Sequence, residues 1–226
     1  MATKVPVIAI DGPSGSGKGT VSRRVATALG FHFLDSGALY RLVALAGLKA
    51  GLEARDTVGH ARIAEHMDVD FGGDPAGDER VLLGGLDVTD ELRSEKAGSA
   101  ASRVAAMPAV RTALFARQRQ FATSPGLVAD GRDMGSVVFP DAPLKIFLTA
   151  TPTERARRRH KQLKEKGLDV SLAALSRDIA ERDERDASRA VAPLRAASDA
   201  IHLDSTGLTV DSVVAQILRL AHERLR

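Results

Sequence analysis

The 226-residue sequence contains no cysteine and no asparagine, and it has no tryptophan and a single tyrosine. Without cysteine the chain has no disulfide, no thiolate nucleophile and no sulfur ligand for a metal ion. Without asparagine it cannot contain the Asn-Lys-x-Asp segment by which GTPases select guanine, and this argues against a regulatory GTPase. The six histidines include no pair at i and i+4, so we assign them no metal site.

The sequence also lacks any apolar run near the roughly 18 residues that a membrane-spanning helix needs. Residues 1–11 include one lysine and a short apolar stretch but no small-residue cleavage site, and we expect them to form a first strand rather than a signal peptide. The net charge of +3 is too small for the electrostatic footprint of a dedicated nucleic-acid-binding protein. We therefore expect a cytoplasmic, single-domain protein whose partner is a small anionic ligand.

Short apolar runs alternate with helical patterns along most of the chain. The runs predict buried strands at 5–10, 31–34, 127–129, 144–148 and 200–203, and helical spacing predicts helices at 18–29, 37–50 and 109–122. This alternation predicts an α/β fold with a parallel five-stranded sheet flanked by helices. Residues 69–88 interrupt it, because two apolar runs flank Gly84 and Gly85, which predicts a hairpin within a small antiparallel insertion. Residues 72–77 are predicted to form a loop.

A glycine-rich segment follows the first predicted strand and opens the first predicted helix. It consists of Gly12, Pro13, Ser14, Gly15, Ser16, Gly17, Lys18, Gly19 and Thr20. Its Gly-x-x-x-x-Gly-Lys pattern is typical of a P-loop, whose backbone N–H groups surround the phosphates of ATP while the helix dipole and the lysine add positive charge. A glycine-rich turn that binds nothing is the alternative. The strand, the lysine and the helix together favour the P-loop, and hence a fold of the P-loop NTPase type.

The end of this segment departs from the common P-loop pattern. The hydroxyl that usually follows the lysine directly is replaced by Gly19 and displaced to Thr20, which weakens the case for Thr20 as a magnesium ligand. Asp130, at the end of a predicted strand, is a second candidate that could orient the metal through water. An aspartate at that position could instead only cap the following turn. The Gly-Lys-Gly-Thr form resembles the loop of nucleoside monophosphate kinases.

Three further segments resemble bacterial cytidylate kinase, a family of P-loop nucleoside monophosphate kinases. They read LDSGALYR at 34–41, GRDMGSVVFP at 131–140 and ERDERDASRAVAP at 181–193, and with the P-loop they span nearly the whole chain. The resemblance implies that the protein uses ATP, with Mg2+ as cofactor, to phosphorylate CMP and dCMP to CDP and dCDP. Such an enzyme belongs to pyrimidine nucleotide metabolism.

The resemblance also implies which residues bind CMP. It assigns phosphate binding to Arg41, Arg132 and Arg182, and contacts with the ribose and phosphate end to Asp186 and Arg189. It assigns recognition of cytosine to Ser102, Arg111 and Asp133, and it places Ser36 in the same pocket. A carboxylate at Asp133 can accept a hydrogen bond from the exocyclic amine of cytosine, whereas uracil would present another acceptor there. Lys18, Arg132 and Arg182 are the expected catalytic residues, because they would spread the charge of the transition state.

Several of these residues have alternative interpretations from the sequence alone. Four residues, Arg182, Arg185, Asp186 and Arg189, lie at helical spacing on one face, where opposite charges often form only solvated pairs. The basic run at 155–166 could be a solvated helix or a nucleic-acid patch, although its position favours a lid that closes over the triphosphate. Tyr40 could stack near the base or pack in the core.

The expected layout is one kinase domain at 1–226. Its core would comprise 1–58, 109–150 and 190–226, the monophosphate-binding region with the insertion about 59–108, and the lid about 153–189. We expect ATP and CMP or dCMP as partners, no nucleic acid, no membrane and a monomer. Kinases for another small acceptor, such as UMP or AMP, are the nearest alternative, and a P-loop ATPase that binds nucleic acid is a more distant one.

Overall fold

The computed structural model describes residues 5–73, 79–165 and 167–225. In chain order, the elements are β1 (Val7–Asp11), α1 (Lys18–Leu29), β2 (His32–Asp35), α2 (Ser36–Lys49), α3 (Thr57–His66), β3 (Val69–Gly73), β4 (Glu79–Leu83), β5 (Leu86–Asp87), α4 (Thr89–Leu92), α5 (Glu95–Val104), α6 (Pro108–Gln120), β6 (Leu127–Gly131), a π-helical turn (Met134–Val138), β7 (Leu144–Thr149), α7 (Pro152–Glu165), α8 (Leu172–Ala187), β8 (Ile201–Asp204) and α9 (Val210–Arg224). Their contacts define two compact units, the first within Met1–Asp35 and Gln118–Arg226, the second within Ser36–Arg117.

The first unit is built on a parallel sheet of five strands in the order β2-β6-β1-β7-β8. The predicted strands and the predicted α/β class are confirmed, with strand ends shifted by up to two residues. Because β1 lies in the middle of the sheet, both of its edges are paired, and all five of its residues are buried. Its carboxyl end therefore has a fixed position from which the glycine-rich segment starts.

The apolar core of this unit lies between the sheet and two helices, α1 and α9. Ile8 and Ile10 of β1 are fully buried against Val25 of α1 and Ile217 of α9. Burying such side chains stabilises the fold by about 1.5–3 kcal/mol each. The same contacts set the axis of α1, and with it the direction in which the amino end of α1 points.

The second unit contains α2, α3, α4 and α5 together with an antiparallel sheet in the order β3-β4-β5. The predicted hairpin is confirmed. Gly84 and Gly85 connect β4 and β5 with φ angles of 55° and 77°, which residues other than glycine rarely adopt. The loop predicted at 72–77 is wrong at its start, where residues 72 and 73 pair with β4, and residues 74–78 lie outside the described part of the chain. Helices α3, α4 and α5 have no counterpart among the predicted elements.

Among the described residues, no helix is both long enough and apolar enough to cross a membrane.

The packing at the end of β1 predicts an intolerance to any side chain at Gly12. A Cβ on Gly12 would lie 2.0 Å from the carbonyl oxygen of Leu148, so Gly12→Ala must push β1 and β7 apart. We expect a loss of about 3 kcal/mol in the free energy of unfolding, measured by urea denaturation. Gly72→Ala is the control, because nothing lies within 4 Å of its added Cβ. Equal stabilities of the two variants would contradict the close approach.

Candidate active site

The glycine-rich segment forms a loop that ends at the amino terminus of α1. Gly17 precedes this helix with a φ of 88°, a left-handed conformation that glycine adopts without strain, and it has no side chain with which to cap the first turn. The first N–H groups of a helix need partners from outside the helix, and an anion satisfies both them and the helix dipole. The predicted P-loop thus has the backbone geometry that phosphate binding requires.

Lys18 lies inside this loop and is almost completely buried. Its Nζ donates a hydrogen bond to the carbonyl oxygen of Pro13 at 3.0 Å and lies 4.0 Å from Oδ1 of Asp130. Burial, together with the charges of Arg132 and Arg182, lowers the pKa of Lys18 to about 7, although the charge of Asp130 opposes the decrease. A bound triphosphate would favour the protonated form, since it adds negative charge beside the ammonium group.

Asp130 lies against the residue that replaces the usual hydroxyl. A Cβ on Gly19 would approach Oδ2 of Asp130 to 3.3 Å, so the carboxylate occupies space that a serine or threonine side chain would need. Thr20 is exposed on α1, whereas Asp130 is buried beside Lys18. Of the two candidate metal ligands, Asp130 is thus the buried one, and its carboxylate lies within 4.0 Å of Nζ of Lys18.

A second group of charges lies along α8 and at the end of β6. Asp186 is 1% exposed, accepts a hydrogen bond from Nε of Arg132 at 2.9 Å and pairs with Arg189. Burial would raise the pKa of Asp186, but the charges of Arg132, Arg189 and Arg182 lower it below its ordinary value. The interpretation of Asp186 and Arg189 as a solvated pair is therefore wrong, because this buried carboxylate orients the guanidinium groups of Arg132 and Arg189.

Asp133 follows Arg132 and begins the π-helical turn. It is 3% exposed, and its carbonyl oxygen accepts hydrogen bonds from the N–H groups of Val137 and Val138. Asp133 has other acids nearby: its charge and that of Asp130 both contribute to raising the pKa of Asp11. The backbone of Asp133, the residue predicted to recognise cytosine, is thus held by a hydrogen-bonded turn in the same unit as the P-loop.

Two arginines of α7 contact the P-loop from outside, and the sequence patterns did not identify this role. Arg155 donates to the carbonyl oxygens of Ser14 at 2.9 Å and Ala150 at 3.1 Å, and its Nη2 lies 2.6 Å from Oδ2 of Asp183 on α8. Arg158 donates to the carbonyl oxygen of Ser16 at 3.2 Å. These contacts join residues about 140 positions apart in the chain, so no local pattern could have revealed them.

The remaining predicted site residues lie in the second unit. They are Ser36 and Arg41 on α2, Ser102 on α5 and Arg111 on α6. Helix α2 packs against α5, and Ser36, Ser102 and Arg111 are buried. The guanidinium carbon of Arg111 lies 5.8 Å from the centre of the Tyr40 ring. Tyr40 is itself buried and packs against this arginine.

Comparison with known proteins shows similarity along almost the whole chain. The family model described as cytidylate kinase matches residues 8–223. The cytidylate kinase of Stutzerimonas stutzeri is 58% identical over 225 residues, covering 99% of this chain and 98% of that protein. That of Pseudomonas aeruginosa is 57% identical over 216 residues, covering 95% of this chain and 94% of that protein.

A solved structure resembles the fold at low sequence identity. The crystal structure of an uncharacterized protein from Eubacterium ventriosum aligns with a TM-score of 0.54 and 14% identity, covering 98% of this chain and all of that one. This likeness concerns the fold alone.

The contacts of Arg155 predict that it stabilises the P-loop and α8 together. Arg155→Met leaves the carbonyl oxygens of Ser14 and Ala150 and the carboxylate of Asp183 without this donor. We expect a loss of about 3 kcal/mol in the free energy of unfolding and a weaker affinity for ATP, measured by urea denaturation and by titration. Arg157→Met is the matched control, because Arg157 is exposed and its ion pair with Glu154 spans a single turn of the same helix. Equal stability and equal affinity for ATP in the two variants would contradict the role of Arg155 as a bridge between the P-loop and α8.

Proposed function

This chain belongs to the cytidylate kinase family, and from that premise we propose that it transfers the γ-phosphoryl group of ATP to CMP or dCMP. The products are ADP and CDP or dCDP. The structural observation that carries the proposal is the position of Lys18 of the P-loop among the charges of Arg132, Arg182 and Asp130. Donor phosphates and an acceptor phosphate both need such positive charge in one place.

The reaction forms a bond between a phosphate oxygen of CMP and the γ-phosphorus of ATP, and breaks the bond between that phosphorus and the β,γ-bridging oxygen. The attacking oxygen is already anionic, so no general base is required. Catalysis then depends on holding the two phosphates in line and on spreading the charge that moves to ADP. Lys18, Arg132 and Arg182 are proposed for that role.

The donor side uses the backbone of the P-loop, from Gly12 to Thr20. Its N–H groups and the amino end of α1 bind the triphosphate, and Lys18 exchanges its contact with the Pro13 carbonyl for the terminal phosphates. Arg155 and Arg158 keep the outward-facing carbonyls of the loop hydrogen-bonded while the N–H groups face the ligand.

The acceptor side uses residues that match the CMP-binding positions of the family. In the first unit, Arg132 and Arg182 bind the phosphate, Asp186 and Arg189 the ribose and phosphate end, and Asp133 the amine of cytosine. The residues proposed for CMP contact in the second unit are Ser36, Arg41, Ser102 and Arg111. The division into a monophosphate-binding region at 59–108 and a lid at 153–189 remains a proposal, as does the monomeric state.

Mg2+ is proposed as the cofactor, and the residues present fit it. Among the described residues no three His, Cys, Asp or Glu side chains form a ready-made metal site, and Mg2+ in phosphotransferases is commonly held by one or two carboxylates, water and the substrate phosphates. Asp130 would hold it, directly or through water. When bound, the metal neutralises phosphate charge and orients the donor.

The acceptor is tested by ADP release with CMP, dCMP, UMP and AMP, each with ATP and Mg2+. We expect kcat/KM for CMP and dCMP to exceed that for UMP by at least about tenfold, because cytosine presents an exocyclic amine to Asp133 where uracil presents an acceptor. AMP, whose base also carries an exocyclic amine, tests whether the site accepts a purine. Lys18→Ala is the control for contaminating kinases and should lose on the order of 100-fold in turnover while keeping its circular dichroism spectrum. A higher kcat/KM for UMP or AMP than for CMP would contradict the assignment of CMP and dCMP as the acceptors.

The metal ligand is tested by the concentration of Mg2+ that gives half-maximal activity. Asp130→Asn removes the carboxylate beside Lys18 and should raise that concentration about tenfold. Thr20→Ala should change it far less, because Thr20 is exposed on α1. A larger effect of Thr20→Ala would assign the metal to the hydroxyl instead.

A further inference from the structure

Asp11 is a buried acid that the proposed reaction leaves without a role. It ends β1, directly before the P-loop, and is 4% exposed. Its Oδ1 accepts a hydrogen bond from the N–H of Met134 and its Oδ2 from the N–H of Gly135, each at 2.8 Å. Both oxygens of one carboxylate are therefore engaged by consecutive backbone groups of another segment, 123 and 124 residues away in sequence.

These two N–H groups open the π-helical turn and need acceptors from outside it. The residue before a helical turn usually supplies the acceptor with its own side chain. Here that residue is Asp133, whose side chain makes no capping hydrogen bond within the described turn. Asp11 replaces it as the cap, and a charged acceptor gives a stronger bond than a neutral one.

The cap determines the backbone geometry at Asp133. The peptide unit between Asp133 and Met134 is planar, so holding the Met134 N–H also sets the plane of the Asp133 carbonyl. That carbonyl accepts from Val137 and Val138, and the peptide unit is thus held from both sides. The direction in which the Asp133 side chain leaves the backbone depends on this plane.

The far end of the same segment has a separate anchor. Nζ of Lys145 donates to the carbonyl oxygen of Pro140 and pairs with Asp199. Lys145 is also buried, and its side chain packs beneath Gly135, where an added Cβ would lie 3.1 Å from Cδ of Lys145. The segment is therefore held by one buried charge next to Asp133 and by another several residues beyond it.

We propose that Asp11 is a positioning residue for the acceptor: by capping the turn after Asp133 it aims the Asp133 carboxylate at the base of the monophosphate and so contributes to the choice between cytosine and uracil. This inference depends on the proposed function for the identity of the acceptor. Because Asp11 also precedes Gly12, the same residue joins the start of the donor loop to the segment that selects the acceptor.

The electrostatics of Asp11 support a role other than stability. Burial raises the pKa of Asp11 to about 7, while the bonds from Gly135 and Met134 oppose the rise. An acid whose pKa is higher in the folded than in the unfolded protein disfavours folding as the pH rises above its unfolded value. Asp11→Asn removes that buried charge, keeps the shape of the side chain and loses one of the two acceptors, so we expect it to fold.

The test compares Asp11→Asn with Lys145→Met, which removes the charge that holds Pro140 and Asp199 but keeps an unbranched side chain beneath Gly135. Steady-state assays on the wild type give kcat/KM for CMP and UMP. This wild-type measurement tests the proposed function, independently of both variants. For Asp11→Asn we expect KM for CMP to rise about tenfold, the CMP-to-UMP ratio of kcat/KM to fall about tenfold and KM for ATP to stay within about twofold. For Lys145→Met we expect a lower melting temperature with the CMP-to-UMP ratio retained.

An unchanged ratio in Asp11→Asn overturns the proposal, whatever Lys145→Met does. An equal fall of the CMP-to-UMP ratio of kcat/KM in the two variants also overturns the proposal, because any loosening of the segment would then have the same effect. Failure of Asp11→Asn to fold while Lys145→Met folds would make Asp11 a determinant of stability, again against the proposal. A wild type that phosphorylates no cytidine nucleotide would instead refute the proposed function, and the two failures are thus distinguishable.

Discussion

A loop that turns its N–H groups toward a ligand leaves carbonyl groups facing the other way, and these need hydrogen-bond donors from elsewhere in the protein. In this chain Arg155 and Arg158 on α7 donate to two of these carbonyls, those of Ser14 and Ser16. Arg155 is paired in turn with Asp183 on α8. The conformation of the donor loop is therefore tied to α8, the helix that carries Arg182.

The first unit, which contains the P-loop, also contains buried charged groups of both signs that contact one another. Asp186 is buried between Arg132 and Arg189, and Asp11 is satisfied by two backbone N–H groups. Removing one partner of such a group leaves a buried charge without compensation, which is far more costly than losing a solvated pair. These networks hold guanidinium groups in place before any phosphate binds, so less ordering is needed when the substrates arrive.

Local patterns in the sequence were sufficient for the elements and for the P-loop. Apolar runs predicted the five parallel strands, and Gly84 with Gly85 predicted the hairpin, because backbone preferences and burial act over a few residues. The same patterns placed Gly72 in a loop, although pairing with β4 makes it part of a strand. They also suggested solvated charges along α8, since helical spacing cannot distinguish a buried face from an exposed one.

The sequence by itself determined the family, the P-loop and the set of residues that resemble a CMP site, because these are carried by contiguous motifs. Only the tertiary structure decided how those residues are supported. Asp130 is buried beside Lys18, Arg155 binds a carbonyl of the loop, and Asp11 caps the turn after Asp133. Each of these depends on segments more than 100 residues apart in the chain. Contacts of that kind are set by the packing of the sheet and helices, and no local preference encodes them.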